Sequence, residues 1–102
     1  MSDFPRLDCR YFVTYRGVRL PATMVTAIEP AALANRNTYI RAYFDADGVL
    51  HGFDKLVYGD VELSHRYVYH ANGQLRRAAI SVPDEEPALL AYEEAGQRIA
   101  GG

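Results

Sequence analysis

The stretch Leu50-His51-Gly52-Phe53-Asp54-Lys55-Leu56-Val57-Tyr58-Gly59-Asp60-Val61-Glu62-Leu63-Ser64-His65-Arg66-Tyr67-Val68-Tyr69 decides the fold. It reads as two strand-forming runs about Gly59-Asp60, a dipeptide suited to a type II′ turn because glycine takes positive φ without steric cost. A two-residue turn there sets Tyr58 opposite Val61, Leu56 opposite Leu63, Asp54 opposite His65, Gly52 opposite Tyr67 and Leu50 opposite Tyr69. All ten then share one face of a hairpin.

Working outward, Asn72-Gly73 is the strongest short hairpin signal in the chain and starts a further strand over 74–82. That strand adds Ile80 beside His65, Val82 beside Leu63 and Arg76 beside Tyr69. Upstream, Asp45-Ala46-Asp47-Gly48 joins strands over 38–44 and 49–58. Arg16-Gly17 reads as a two-residue turn between strands over 9–15 and 18–24, pairing Tyr15 with Val18, Val13 with Leu20, Tyr11 with Ala22 and Cys9 with Met24. Pro21 donates no hydrogen bond and suits an edge or bulge. Glu29-Pro30 followed by Ala31-Ala32-Leu33-Ala34 breaks the strand pattern and predicts a helical turn or an ordered loop. From Asp84 the chemistry changes: Asp84 is a potential cap, Glu85 and Glu86 suit a helix start, and Pro87 is tolerated in a first turn. Ala88, Ala91, Tyr92, Ala95 and Ile99 then recur at helical spacing. The resulting expectation is a single α+β domain over 1–102: a six-stranded, mostly antiparallel meander within 8–82, with one C-terminal amphipathic helix over 84–99 packed on one face. Tyr11, Val13, Leu20, Leu56, Leu63, Ile80, Leu89 and Tyr92 are the expected core.

Composition limits the function. In 102 residues, 11 Lys and Arg stand against 13 Asp and Glu, a net charge of −2, which disfavours nucleic acid as a partner. No apolar run approaches the length of a membrane span, and the start Met1-Ser2-Asp3-Phe4-Pro5-Arg6 lacks a signal peptide's apolar stretch, so a cytoplasmic protein is expected. A lone cysteine, Cys9, makes no intrachain disulfide and no zinc cluster by itself. His65 and His70 point to opposite faces of one strand, and His51 lacks a third ligand, so neither a metal nor another cofactor is expected.

The catalytic candidates are Asp54 and His65. A carboxylate opposite an imidazole orients a general base and raises its pKa. The same pair serves equally as a structural cross-strand ion pair, and no Ser, Thr or Cys nucleophile is assigned beside it. Phe53 and Arg66 fall together on the opposite face, as a cation–π pair. The binding candidates are Tyr39, Arg41, Tyr43, Tyr67, Tyr69 and Arg76. The strand parity puts these tyrosines, with Tyr11 and Tyr15, on one broad amphipathic face interleaved with arginine. Such a face suits a protein partner, a second copy of the chain or a small anionic ligand.

Phe44-Asp45-Ala46-Asp47-Gly48-Val49-Leu50 and Tyr69-His70-Ala71-Asn72-Gly73-Gln74-Leu75 share a frame of aromatic, polar, Ala, Asx, Gly, any residue, Leu. The frame resembles the tyrosine-aspartate repeats of bacterial Rhs-type proteins and, more loosely, membrane-occupation-and-recognition-nexus hairpins. It departs from the former where Val49 and Gln74 replace an arginine and His70 replaces an aspartate. The resemblance implies hairpins that reuse one turn, as in a fragment of a repeat assembly. In size and layout the chain is also similar to small bacterial proteins of unknown function, a likeness that implies no activity. The functional expectation is a non-enzymatic binding or accessory protein, homodimeric through its tyrosine-rich face. The alternative is a small-molecule-binding protein or enzyme with Asp54 and His65 in a cup on the sheet.

Overall fold

The computed structural model describes residues 7–17 and 20–97. Seven strands form one antiparallel sheet: β1 (Asp8–Arg16), β2 (Thr23–Ile28), β3 (Thr38–Phe44), β4 (Leu50–Val57), β5 (Asp60–Tyr69), β6 (Leu75–Ser81) and β7 (Ala88–Ala91). The spatial order is β2-β1-β3-β4-β5-β6-β7, so all but the first hairpin runs as a plain meander. A 3-10 turn, Pro30–Asn35, with proline in its first turn, carries the chain from β2 to β3.

The expected C-terminal helix does not form. Ala88–Ala91 pairs with β6 as a seventh strand, and Glu93 to Gln97 makes a turn; residues 98 and 99 of the expected helix lie outside the described residues. Asp84, with φ 63, has the left-handed conformation rather than the extended one of a helix cap. A short apolar run satisfies both periodicities, and pairing with β6 gives Ala88–Ala91 a ladder at the sheet edge. Leu89, expected in the core, is 60% exposed.

The first hairpin also differs. Tyr15 pairs with Met24 and Tyr11 with Ile28, so the connection is longer than two residues and includes Pro21, which follows a cis peptide bond. The expected partners Val18 and Arg19 lie outside the described residues. Ala22 N–H donates to the Tyr67 hydroxyl at 3.1 Å, so the chain between β1 and β2 bends over one face of the sheet as far as β5.

That face is the apolar one. Ile40, Ala42, Leu50, Phe53, Tyr67, Leu75, Ala78 and Ala22 form its buried centre, and Tyr15, Leu20, Leu63, Leu90 and Tyr92 pack around them, half-buried. Of the expected core, Leu56 is buried, Tyr11, Val13, Leu20, Leu63, Ile80 and Tyr92 are half-buried, and Leu89 faces solvent.

Three turns share one build. Asp45, His70 and Glu93 each follow an aromatic residue, each donates its N–H to the carbonyl four residues on, and each accepts from the N–H of a glycine with φ between 81 and 93. The third turn, after Tyr92, lacks the Asx that marks the first two, where Asp45 and Asn72 side chains brace the backbone. Glycine supplies the left-handed step that each turn needs.

Candidate functional site

The central hairpin turns at Tyr58-Gly59, not Gly59-Asp60. Both residues have positive φ, the type I′ pattern, and Val57 pairs with Asp60. This moves the turn back by one residue, a change that leaves every side chain on the same face. A bulge then moves the register by one more: Leu56 pairs with Val61, but Lys55 pairs with Leu63, leaving Glu62 extra. A one-residue slip exchanges the faces. Asp54 therefore sits opposite Ser64, His65 sits opposite Phe53, and the expected Asp54–His65 pair does not exist.

Asp54 lies on the polar face, 3% exposed. Its Oδ1 accepts from Ser64 Oγ at 2.7 Å and from an Arg66 terminal nitrogen at 2.8 Å. Its Oδ2 accepts from the Tyr43 hydroxyl at 2.7 Å and from an Arg41 terminal nitrogen at 3.1 Å. Burial opposes ionisation, but these four donors outweigh it and hold the carboxyl down at about 2. Arg41 Nε also donates to the Tyr43 hydroxyl at 2.8 Å, and Arg66 lies over the Tyr43 ring at 5.3 Å. Arg66 thus stacks on Tyr43, not on Phe53 as expected. Gly52 makes room for this: a Cβ there would come within 2.4 Å of the His65 carbonyl and 3.1 Å of Arg66 Cδ. A carboxylate saturated by four donors has no lone pair free for proton transfer.

His65 lies on the apolar face, 5% exposed, with its ring 4.4 Å from that of Phe53. Its Nδ1 is 2.7 Å from the Tyr67 hydroxyl, which already accepts the Ala22 N–H. The buried phenol has one proton to donate, and Nδ1 is its acceptor among the described residues, so the ring proton is assigned to Nε2. Burial pushes the imidazole down to about 4, helped by the Arg66 cation, and His65 is neutral at pH 7. That reverses the raised pKa expected from a carboxylate partner. Burial likewise lifts the Tyr67 hydroxyl to about 12.

No buried side-chain nitrogen or oxygen among the described residues lacks a partner. His65 Nε2 has none there, so it is reached from the open space beside it. That space is a groove of about 1340 Å³, lined by Tyr15, Leu20, Leu63, Ile80, Leu90 and Tyr92 together with the polar side chains of Thr14 and Gln74. Lys55 is the one charged side chain among its described lining residues.

The binding candidates divide between the faces. Arg41 and Tyr43 join the Asp54 cluster, and Tyr39 meets Tyr11 edge-on at 5.9 Å beside it. Tyr67 is buried under the groove. Tyr69, its hydroxyl lifted to about 12 by burial, donates to the Leu50 carbonyl. Arg76 is exposed as the extra residue of a second bulge, where Tyr69 pairs with Leu75 and Val68 with Arg77. The single tyrosine face is thus replaced by two clusters on opposite sides. Cys9 pairs with Tyr43 on the polar side, away from His65. Among the described residues no group of three or more His, Cys, Asp or Glu is placed to hold a metal, and no helix is long and apolar enough to cross a membrane.

Sequence reading missed Ser64 and Arg66 as partners of Asp54, and missed the groove wall at Leu90 and Tyr92. A signal for the first existed: Glu62, Ser64 and Arg66 alternate with Leu63, His65 and Tyr67, and matching polar to polar places Asp54 opposite Ser64.

These features define a small protein built almost entirely from one antiparallel sheet, with a closed ionic cluster on one face and an open groove of mixed polar and apolar lining on the other. The chain belongs to the family of unknown function DUF6156, whose model matches residues 5–101. No curated protein and no solved structure matches it. The comparisons return no tyrosine-aspartate repeat family, and the two heptads stand as a shared turn.

Proposed function

We propose that the chain is a non-enzymatic binding module that takes a small ligand with an apolar body into the groove above His65. The observation that supports this reading is the groove that the described residues leave open on the apolar face. The segment expected to fold over the sheet as a helix instead adds Ala88–Ala91 at the sheet edge, and Leu63, Ile80, Leu90 and Tyr92 line the open groove. Concave, mostly apolar surfaces with few convergent polar groups are the usual form of small-molecule sites. The chemistry argues against catalysis, because Asp54 is saturated and His65 has no nucleophile or carboxylate partner among the described residues.

Leu89 and Leu90 provide the test, being neighbours on β7 that face opposite sides. Titration with the fluorophore 8-anilinonaphthalene-1-sulfonate is expected to show saturable, one-to-one binding. Leu90→Arg should weaken it at least about tenfold, roughly the effect of 1.4 kcal/mol, while Leu89→Arg leaves it unchanged. Absence of saturable binding, or equal effects of the two variants, would overturn the reading.

A further inference from the structure

Resting on that reading, we propose that the ligand is an amphipathic monocarboxylate, bound head-first to His65 Nε2–H with Lys55 as its counter-charge. Three observations on the apolar face converge on this chemistry. His65 is a donor fixed in direction: its ring is stacked on Phe53, its other nitrogen is committed to Tyr67, and Tyr67 is held in turn by the backbone of Ala22. The imidazole is neutral, so Nε2 offers one proton and asks for an acceptor. Because Nε2 opens onto the groove, a ligand acceptor there can accept its hydrogen bond in place of water.

Lys55 gives the head group its sign. It pairs with Leu63 across β4 and β5, two residues along from the Phe53–His65 pair and on the same face. No acidic side chain stands among the described residues of the groove, and Arg66 and Arg41 are bound to Asp54 on the other face. An anion in the groove has Lys55 and the His65 N–H donor in its lining, and no carboxylate among the described lining residues. A cation would meet Lys55 with no acidic side chain among the described lining residues to offset the repulsion. Beyond the head group, Leu20, Leu63, Ile80 and Leu90 supply apolar side chains and Tyr15 and Tyr92 aromatic rings, which suits a hydrocarbon chain or an aryl body.

Three probes with the same ten-carbon tail test this: decanoate, 1-decanol and decyltrimethylammonium, each titrated into the full chain at pH 7 and followed by amide and imidazole ¹⁵N NMR. Decanoate should bind at least about tenfold more tightly than the other two, and its addition should move the His65 Nε2 resonance. Lys55→Met and His65→Phe should each reduce the preference for decanoate over decanol to within about threefold, with decanol affinity retained. If His65→Phe fails to fold, Lys55→Met and the wild-type Nε2 resonance still decide. Equal binding of decanoate and decanol, a preference for the cation, or a stationary Nε2 resonance at saturation would overturn the carboxylate assignment while leaving a binding groove in place. Failure of all three tails, together with failure of the fluorophore, would instead remove the binding reading on which it rests.

Discussion

Asp54 and His65 sit on neighbouring strands, both more than nine-tenths buried, yet the two faces treat them oppositely. On the polar face every oxygen of Asp54 is engaged, and its two arginine partners reach solvent with side chains 34% and 51% exposed. On the apolar face His65 has one nitrogen committed and one open to the groove. Burial is therefore a poor guide to function by itself. Asp54 is a closed ionic knot that ties β3, β4 and β5 together, whereas His65 keeps unused hydrogen-bonding capacity where a ligand can reach it.

The contrast can be broken most severely at Phe53, which is fully buried and supports the His65 ring. Phe53→Ala should destabilise the fold by about 4 kcal/mol, measured by urea denaturation. A cost within about 1 kcal/mol would mean that the apolar face is not packed around this ring. Asp54→Ala should cost about 3 kcal/mol, toward the low end for breaking a buried ion pair because Arg41 and Arg66 can turn to water. A neutral outcome would show that the four donors do not need the carboxylate.

The two groups should also separate on acidification. An imidazole held near 4 in the fold refuses a proton that the unfolded chain accepts near 6.5, so stability falls as pH drops from about 6.5 to 4. The full loss is on the order of 3 kcal/mol. Asp54, held near 2, contributes stability above its unfolded value near 3.8 that disappears between about 4 and 2. Acid titration of stability should therefore show two stages, the upper one absent from a His65→Phe variant and the lower one from Asp54→Asn. A single stage common to both variants would contradict the separation of the faces.

Gly52→Ala sharpens the comparison from the backbone, since the added methyl meets the His65 carbonyl rather than a flexible side-chain end. A cost of about 2 kcal/mol is expected by thermal or chemical denaturation. At the lower extreme, Leu89→Ala should change stability by less than about 0.5 kcal/mol, because Leu89 faces solvent on the edge strand. A large effect there would point back to a covered C-terminal segment.

Much of this sheet was legible because turn chemistry is local. Thr38–Phe44 was read to the residue, and the glycines at 48, 59 and 73 each marked a hairpin where positive φ is required. Bulges were not legible in the same way. Glu62 carries no Gly, Pro or other mark that distinguishes it from an ordinary strand residue, yet its insertion moved Asp54 and His65 to opposite faces. The end of the chain failed for another reason. Ala88, Ala91, Tyr92 and Ala95 fit a helical stripe, but Ala88, Leu90 and Tyr92 fit a strand as well, and only the presence of β6 beside them decides between the two. The groove was invisible for the same cause, since it exists where the expected helix does not.

The separation of Asp54 from His65 rests on the bulge at Glu62 and the face exchange it produces. The most direct measurement is NMR titration of the His65 imidazole in the wild type and in Asp54→Asn. The account predicts a proton on Nε2 and a pKa near 4 in both proteins, because burial and Arg66, not Asp54, set it. An imidazole that titrates above 6.5 in the wild type and falls when the carboxylate is removed would contradict it, by showing that Asp54 and His65 share a face.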